Sequence, residues 1–330
     1  MHTRNYYCLA LFLLMLSTAT MGQGVIDTTK SADYLVKKIL IGNGVLAGNV
    51  SFTGAKHSIG LYADGTAPVG IDTGIVLTSG NAIYTVGPNR SPRSGWASNA
   101  PGDKDLDGIA RGKTHDASVL EFDFVTASEN LSFRFVFASE EYLEYVGSKF
   151  NDVFGFFLTD PEGRTVNLAR LPDSKNPITV NTVNNKRNSK YFIDNTFYNT
   201  TDPFVWDVRA RKVVKNDHYM KEDVDPPYEI QYDGFTTVIE VNYRVEPNAK
   251  YHIKMAIADV ADGILDSGVF LDGGSFKSSG NQIVRIDNHF DQVEISIPKD
   301  LEIVPVVKSE IIPVEEPKIV KIEMINFDFD

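Results

Sequence analysis

Hydrophobic and polar residues alternate with a period of two along much of the chain. Residues 131–137 place Leu131, Phe133, Phe135 and Phe137 on one face, as expected of a strand with one buried side. Short segments rich in aromatic and β-branched residues repeat the pattern, and helical segments do not alternate with them. We therefore predict an all-β fold, an antiparallel β-sandwich or jelly roll. The predicted strands are residues 119–125, 131–137, 153–158, 235–245 and 251–257.

One segment near the N-terminus has a helical period instead. Residues 28–41 carry an apolar stripe at helical spacing, which predicts one amphipathic helix packed on a sheet. Thr29 or Ser31 can cap its start, and Gly42 ends it. The apolar positions of the stripe are Ala32, Leu35, Val36, Ile39 and Leu40.

Residues 184–231 differ from the flanking strands because they are polar and basic, and they end in Pro226 and Pro227. This composition predicts a long inserted loop, and its aromatic residues predict that it is ordered in part. Its basic residues are interpreted as a solvated surface, with contact to an anionic ligand as the alternative. They are Arg209, Arg211, Lys212 and Lys215.

The two ends of the chain have compositions of their own. Residues 1–22 contain a short apolar run and a small, polar end, which predicts a secretory signal and no transmembrane helix after cleavage. The single cysteine, Cys8, lies in this segment, so disulfides and cysteine-ligated zinc are excluded from the mature chain. After the predicted domain at residues 23–285, residues 286–320 are predicted to be an extended linker rich in Pro, Glu and Val. Residues 321–330 are strand-like and predict the truncated first strand of a further domain.

The formal net charge of −12 makes nucleic acid an unsuitable partner, since phosphates attract basic surfaces. An acidic chain suits divalent cations better. Three segments concentrate the acids. The first contains Glu140, Glu141, Glu144 and Asp152. The second contains Asp259, Asp262, Asp266 and Asp272. The third contains Asp103, Asp105, Asp107 and Asp116.

Calcium is the predicted cofactor because it takes six to eight oxygen ligands, which acids in loops at strand ends can supply. We predict that the first two segments meet at one ion, because each lies at a strand end. The third begins D-x-D-x-D-G like an EF-hand, but its twelfth position is Thr114, so only a looser calcium loop is predicted. The predicted metal ligands are Glu140, Glu141, Asp152, Asp259, Asp266, Asp105 and Asp116.

Two other interpretations of these acids remain open. A sandwich-type glycan hydrolase would pair Glu140 or Glu141 with Asp152 or Asp266 across a cleft. The chain has no G-x-S-x-G or H-E-x-x-H motif, and its six histidines form no pair at metal-ligand spacing. In a purely structural role, the carboxylates would accept hydrogen bonds from backbone amides.

Residues 119–157 resemble the signature of the choice-of-anchor L domain. The resemblance extends through GIVLTSG, YDGFT and residues 251–276 and covers about residues 25–280, although the segment around 197–228 is longer than the family pattern. It implies a secreted or surface-attached bacterial module of poorly defined molecular activity. Our own preferred hypothesis is a non-enzymatic binding or adhesion module, with a glycan or an envelope protein as partner.

The final run IEMINFDFD resembles the opening strand of an OmpA-like peptidoglycan-binding domain. The resemblance implies a tether to peptidoglycan through a further C-terminal domain whose binding residues lie outside these 330 positions. The implied location is the periplasm and outer membrane, or the cell surface, of a Gram-negative bacterium.

Overall fold

The computed structural model describes residues 24–63, 69–91, 93–198, 202–207, 210–220 and 228–279. The predicted signal at residues 1–22, the linker at 286–320 and the final strand at 321–330 lie outside the described residues.

The described elements are mostly strands. Along the first half they are β1 (Val25–Asp27), α1 (Ala32–Tyr34), a π-helical turn (Leu35–Leu40), β2 (Val45–Thr53), β3 (Ile59–Ala63), β4 (Gly74–Thr78), a 3-10 turn (Ala82–Thr85), α2 (Lys104–Ala110), β5 (Thr114–Thr126), β6 (Asn130–Ser139) and β7 (Val153–Thr159). They continue with β8 (Thr165–Asn167), a 3-10 turn (Ser189–Tyr191), β9 (Phe192–Asp194), β10 (Phe204–Asp207), β11 (Lys212–Lys215), β12 (Gly234–Thr236), β13 (Ile239–Arg244), β14 (Tyr251–Val260), β15 (Ser267–Asp272) and β16 (Lys277–Ser278).

Two antiparallel sheets form the body of the molecule. One runs in the order β1-β3-β4-β15-β6-β12-β9, with β13 and β16 also paired to β6, and the other runs β2-β5-β14-β7-β8. The antiparallel pairings within both sheets confirm the predicted all-β sandwich.

The core lies between the sheets and is rich in phenylalanine. Phe133 of β6 stacks on Phe156 of β7 with ring centroids 3.9 Å apart, so the two sheets meet face to face. Phe276 packs against both rings. The period-two prediction for β6 is confirmed, since Phe133, Phe135 and Phe137 are all buried in this core or at its margin.

The opposite face of β6 is also buried, which the alternation did not indicate. Val136 and Ala138 pack in a second apolar cluster with Phe235 and Phe270. β6 is therefore covered on both faces, and the polar groups at its end are removed from solvent with it.

The N-terminal helix lies where it was predicted, but most of it is a π-helical turn and not an α-helix. Ser31 is the residue that caps it, its Oγ accepting the Tyr34 N–H at 3.2 Å. From Leu35 the helix widens into the π-helical turn, which buries Leu35, Val36 and Leu40 against the sandwich. The predicted stripe therefore faces the core.

The described part of the inserted segment contains more strand than a loop would. β9 joins the edge of the first sheet, and β10 pairs with β11 in a separate hairpin. The outward face of the hairpin leaves Phe204 and Trp206 64% and 60% exposed.

The segment that begins D-x-D-x-D-G forms the short helix α2 rather than the predicted calcium loop. Asp103 caps α2 by accepting the N–H groups of Asp105 and Leu106. Leu106 is fully buried, which explains why the segment folds onto the sheet as a helix.

No helix in the described part of the chain is long and apolar enough to cross a bilayer.

Candidate functional site

Acidic side chains from four strands meet at one edge of the sandwich. Ser139 at the end of β6 pairs with Ser267 at the start of β15, which places Glu140 beside Asp266. The Glu140 N–H donates to the Asp266 carbonyl at 3.0 Å. In the other sheet, the pairing of β14 with β7 brings Asp259 near Asp152.

β5 and β12 add two further acids to this edge. Asp259 lies opposite His115 in the β14–β5 pair, so Asp116 is its near neighbour. Asp233 immediately precedes β12, which pairs with the end of β6. We call the following set the acidic edge: Asp116, Glu140, Glu141, Asp152, Asp233, Asp259 and Asp266.

Every residue of the acidic edge is buried, with at most 6% of its surface exposed. Carboxylates are rarely buried without a partner, because leaving water disfavours the charged form. The partners of each carboxylate therefore decide what the cluster can do.

Three carboxylates are held by hydrogen bonds from the protein. Asp152 accepts the Val260 N–H at 2.9 Å through Oδ1 and the Ser267 hydroxyl at 2.7 Å through Oδ2. Asp266 accepts the Trp96 N–H at 3.0 Å through both oxygens. The structural interpretation of the acids accounts for these side chains.

Asp116 is held in the same way, with Oδ1 accepting the Ala100 N–H and the Ser98 hydroxyl, both at 2.8 Å. Its backbone lies in the left-handed region, with φ of 53°.

The remaining carboxylates have oxygens without a hydrogen-bond partner. Within the described residues, neither oxygen of Glu140 and neither oxygen of Asp259 is hydrogen bonded. One oxygen of Glu141 and one of Asp233 are also unpaired. The structural interpretation therefore does not account for the whole edge.

The proximity of the acids changes their protonation. Burial raises the pKa of Glu141 to about 9, and the negative charges of Asp152 and Asp262 add to the shift. Burial raises the pKa of Asp152 to about 7, although its hydrogen bonds oppose the shift. The pKa values of Asp266 and Asp233 are raised to about 7 and about 8, again mainly by burial.

Glu140 and Asp259 are shifted in the same direction. Burial raises the pKa of Glu140 well above its usual value, with repulsion from Asp233 as the next cause. Burial likewise raises the pKa of Asp259, and the neighbouring Asp152 and Asp266 contribute. The edge therefore favours either bound protons or a bound cation over free negative charge.

No Lys, Arg or His in the described residues forms an ion pair with any member of the acidic edge. Within the same residues, no three His, Cys, Asp or Glu side chains stand in an arrangement that could already hold a metal ion. A metal bound here would therefore have to draw the carboxylates closer together.

Six of the seven predicted metal ligands lie in the acidic edge, and Asp105 does not. Asp105 is in α2, where it accepts a hydrogen bond from Lys254 Nζ at 2.7 Å. Its side chain is 57% exposed, and Asp103 shares the same lysine. Asp105 was predicted as a metal ligand together with the other six residues, but it lies outside the acidic edge.

Asp233, which lies within the YDGFT motif, was not among the predicted metal ligands. Asn89 Nδ2 donates to its Oδ1 at 2.6 Å, and the residue is fully buried. The sequence shows Asp233 as an acid at the start of a short apolar strand. Nothing in the local sequence indicates which strand of the sheet pairs with that short strand.

Gly80 was also missed. A Cβ at this position would lie 1.7 Å from Asp266 Oδ2, so the glycine leaves the space that the carboxylate fills. Gly80 follows Ser79 in the turn after β4, and nothing in the local sequence indicates its contact with Asp266.

Comparison with known proteins gives one finding about the family. Neither the curated proteins nor the solved structures gave a significant match. The family model of the choice-of-anchor L domain matches residues 24–277, which is more than half of the chain and includes every strand of both sheets except the end of β16. The chain therefore belongs to the choice-of-anchor L domain family, which indicates a non-enzymatic module associated with the cell surface.

Proposed function

We propose that the chain is an extracytoplasmic binding and adhesion module whose acidic edge is braced by calcium. The observation that carries the proposal is Asp259, a fully buried carboxylate with neither oxygen in hydrogen-bonding geometry within the described residues. The Ser79 side chain lies close enough to favour the ionised form of Asp259, but it does not offset the effect of burial on the pKa. Asp152 and Asp116 are its acidic neighbours.

A cation is the partner that this environment favours at neutral pH. Several carboxylates that share a buried site repel one another, and a divalent ion removes the repulsion without requiring protonation. Calcium accepts carboxylate, carbonyl and water oxygens in flexible numbers, which suits acids that come from separate strand ends. Glu141, with one unpaired oxygen, and Asp152 are the proposed companions of Asp259.

Thermal melting of the intact chain in CaCl2 and in EDTA tests the proposal. A ligand at about 100 times its Kd stabilises the folded state by about 2.7 kcal/mol, which raises the Tm of a domain of this size by roughly 5–10 °C. MgCl2 at the same concentration is the matched control, because Mg²⁺ requires tighter octahedral geometry. Equal Tm values in CaCl2 and EDTA would contradict the calcium proposal.

The hydrolase alternative has less support from the geometry. Both oxygens of Asp152 are engaged by Val260 and Ser267, and the side chain is 1% exposed, so it is poorly placed as a nucleophile or base. Glu141 is 3% exposed, which does not suit contact with a polymer. Turnover of any polysaccharide by the native chain, lost in Glu141→Gln, would reinstate this alternative.

The tether to the envelope is proposed from sequence alone. The run IEMINFDFD and the preceding Pro-rich segment support attachment to peptidoglycan through an OmpA-like domain. Co-sedimentation of the native gene product with purified sacculi tests this proposal. A product that stays in the supernatant would contradict it.

A further inference from the structure

Strand β13 forms an open edge of the first sheet. Within the described residues it pairs with β6 alone, and its six residues keep one continuous register with that strand. The other edge strands of the two sheets are less suited to pairing. β1, β8, β9 and β16 have two or three residues each, and β2 has a register shift between Gly48 and Ser51. Short and bulged edges resist pairing with another chain, so β13 is the described edge most open to it.

The hydrogen bonds of β6 show which way each residue of β13 directs its backbone. Residues opposed in an antiparallel pair alternate between hydrogen-bonded and non-hydrogen-bonded pairs. The Val245 N–H, just after β13, donates to the Glu129 carbonyl at 2.8 Å, so the odd-numbered residues of β13 face β6. Arg134 lies opposite Glu240 and donates its N–H to Ser275 Oγ at 3.1 Å instead, which agrees with this alternation.

The even-numbered residues of β13 therefore direct their N–H and C=O groups outward. They are Glu240, Asn242 and Arg244, and their side chains are exposed as well. Within the part of the chain that the structure describes, no hydrogen bond reaches these outward backbone groups. Three residues with two groups each offer six backbone hydrogen bonds to an added strand. Proteins commonly bind an extended segment at an edge of this kind.

The space beside this edge is not filled by the described chain. A cavity of about 380 Å³ is lined on one side by residues 240–243 and on the other by residues 166–168 and 170–172. Leu168 and Leu171 are among its apolar lining residues. An added strand therefore meets apolar side chains on the face that is turned to the core.

The direction of the backbone groups restricts how a second copy of β13 can pair with the first. A twofold axis perpendicular to the sheet makes the two copies antiparallel, and even-numbered residues must then lie opposite even-numbered residues. The register centred on Asn242 is the one that uses the outward groups of all three residues in both copies. A shift of two residues loses some of these bonds, and in one direction it places Glu240 opposite Glu246.

Side chains are complementary at every position of the register centred on Asn242. Glu240 lies opposite Arg244 of the second copy, and the twofold axis repeats this pair of opposite charges. Val241 lies opposite Tyr243, which is a β-branched and aromatic pair on the inner face. Asn242 lies opposite its own copy, where two amide side chains can exchange hydrogen bonds. Cross-strand pairs of these kinds stabilise antiparallel sheets.

The contacts that these side chains already make are compatible with the pairing. Arg244 forms an ion pair with Glu129, and the two side chains are 81% and 54% exposed. An arginine has five N–H donors, so Arg244 can contact a second carboxylate without losing the first. Asn242 Nδ2 donates to Glu240 Oε1 at 3.2 Å, which leaves the second carboxylate oxygen for the arginine.

We propose that the chain forms a homodimer in which β13 pairs antiparallel with β13 of a second copy, across a twofold axis at Asn242. The first sheet then continues through both copies. The pairing uses the same edge of each copy, so it closes at two chains and does not propagate. None of the pairing residues belongs to the acidic edge, so the dimer is independent of the calcium proposal.

Sedimentation equilibrium of the intact chain over a range of concentrations tests the dimer. We expect a mass of two chains that falls to one chain on dilution. Glu240→Lys and Arg244→Glu each turn two attractive pairs into two repulsive ones, so each variant is expected to raise the Kd about tenfold or more. Glu162→Lys, in the exposed turn between β7 and β8, is the matched control and is expected to leave the Kd unchanged.

An equimolar mixture of the two variants tests the register. In a mixed dimer the new lysine of one copy faces the new glutamate of the other, and the unchanged Arg244 faces the unchanged Glu240. We therefore expect the mixture to dimerise with a Kd close to that of the wild type, although each variant alone is weakened. Far-UV circular dichroism and the Tm establish that each variant is folded.

Asn242→Pro is a second test that changes no charge. Proline removes the outward N–H at the centre of the pairing and is tolerated at a sheet edge, so the chain should fold and dimerise more weakly. A wild-type mass of one chain at every concentration would overturn the proposal. A wild-type Kd in the folded proline variant or in both folded charge variants would place any dimer at another surface and overturn it too. So would a mixture of the charge variants that remains as weak as each alone.

Discussion

The Ser267 hydroxyl donates to Asp152 Oδ2 at 2.7 Å and so joins the two sheets at the acidic edge. Ser267 begins β15 of the first sheet, and Asp152 immediately precedes β7 of the second. The Val260 N–H occupies the other oxygen of Asp152 at 2.9 Å. One buried carboxylate therefore connects three strand ends. Asp152 is both a hydrogen-bond acceptor within the fold and a neighbour of acids with unpaired oxygens. Mutations can separate these two roles.

Asp152→Ala is expected to reduce stability by about 2–4 kcal/mol, because it leaves the Val260 N–H and the Ser267 hydroxyl buried without an acceptor. Ser267→Ala removes only the hydroxyl bond and is expected to cost about 1 kcal/mol. Urea unfolding midpoints measure both. A midpoint for Asp152→Ala within error of that for Ser267→Ala would show that the Val260 bond contributes nothing.

The stability of the calcium-free protein is expected to fall as the pH rises. The pKa of Asp152 is raised from 3.8 to about 7 and that of Glu141 from 4.5 to about 9, both mainly by burial. The folded state therefore keeps protons that the unfolded chain releases near pH 4. This contribution to stability is complete below about pH 4 and is lost as the pH rises to about 7 for Asp152 and about 9 for Glu141. Each group contributes a slope of at most about 1.4 kcal/mol per pH unit.

Urea unfolding in EDTA between pH 4 and pH 9 measures this slope. Saturating CaCl2 is the comparison, because an ion that holds the ionised carboxylates should flatten or reverse the fall. Stability in EDTA that rises between pH 5 and pH 8 would contradict the raised pKa values. Asp152→Asn should reduce the slope, since asparagine does not titrate.

The sequence predicted the sandwich and much of the edge because both depend on local pattern. Alternation in β6 identified the face that meets Phe156, and the ends of that strand and of β14 located Glu140 and Asp259. Antiparallel pairing then brings strand ends together, which is why acids more than 100 residues apart could be expected to meet.

The remaining contacts depend on long-range pairing that no local pattern encodes. Asp233 reaches the edge because β12 pairs with β6, across a long inserted segment. Asp105 lies outside the acidic edge because Asp103, Asp105 and Asp107, which as a sequence suit either a calcium loop or a capped helix, form the start of α2. Burial of Leu106 and the ion pairs of Lys254 favour the helix. Both depend on the folded sheet, so neither can be predicted from the local sequence.

Asp259 and Asp105 should differ in their effect on the calcium response. Asp259→Asn removes the carboxylate with two unpaired oxygens and is expected to abolish the calcium-dependent rise in Tm. Asp105→Asn is expected to leave the rise unchanged, since Asp105 is an exposed partner of Lys254. Its effect on stability should be below about 1 kcal/mol. Differential scanning calorimetry in CaCl2 and EDTA measures both variants, and a calcium response lost in Asp105→Asn would place the ion at α2 instead.

Gly80→Ala is expected to displace the Asp266 carboxylate. A Cβ at Gly80 would lie 1.7 Å from Asp266 Oδ2, inside any permitted contact, so the aspartate must move away from the Trp96 N–H. We expect a loss of about 1–3 kcal/mol, typical of overpacking at a buried site. Gly108→Ala is the matched control, because a Cβ at this exposed position in α2 meets no atom within 4 Å. Alanine there should stabilise the helix by about 0.5–1 kcal/mol. Urea midpoints of both variants decide the point, since wild-type stability in Gly80→Ala would show that the position of Asp266 is not fixed by this contact.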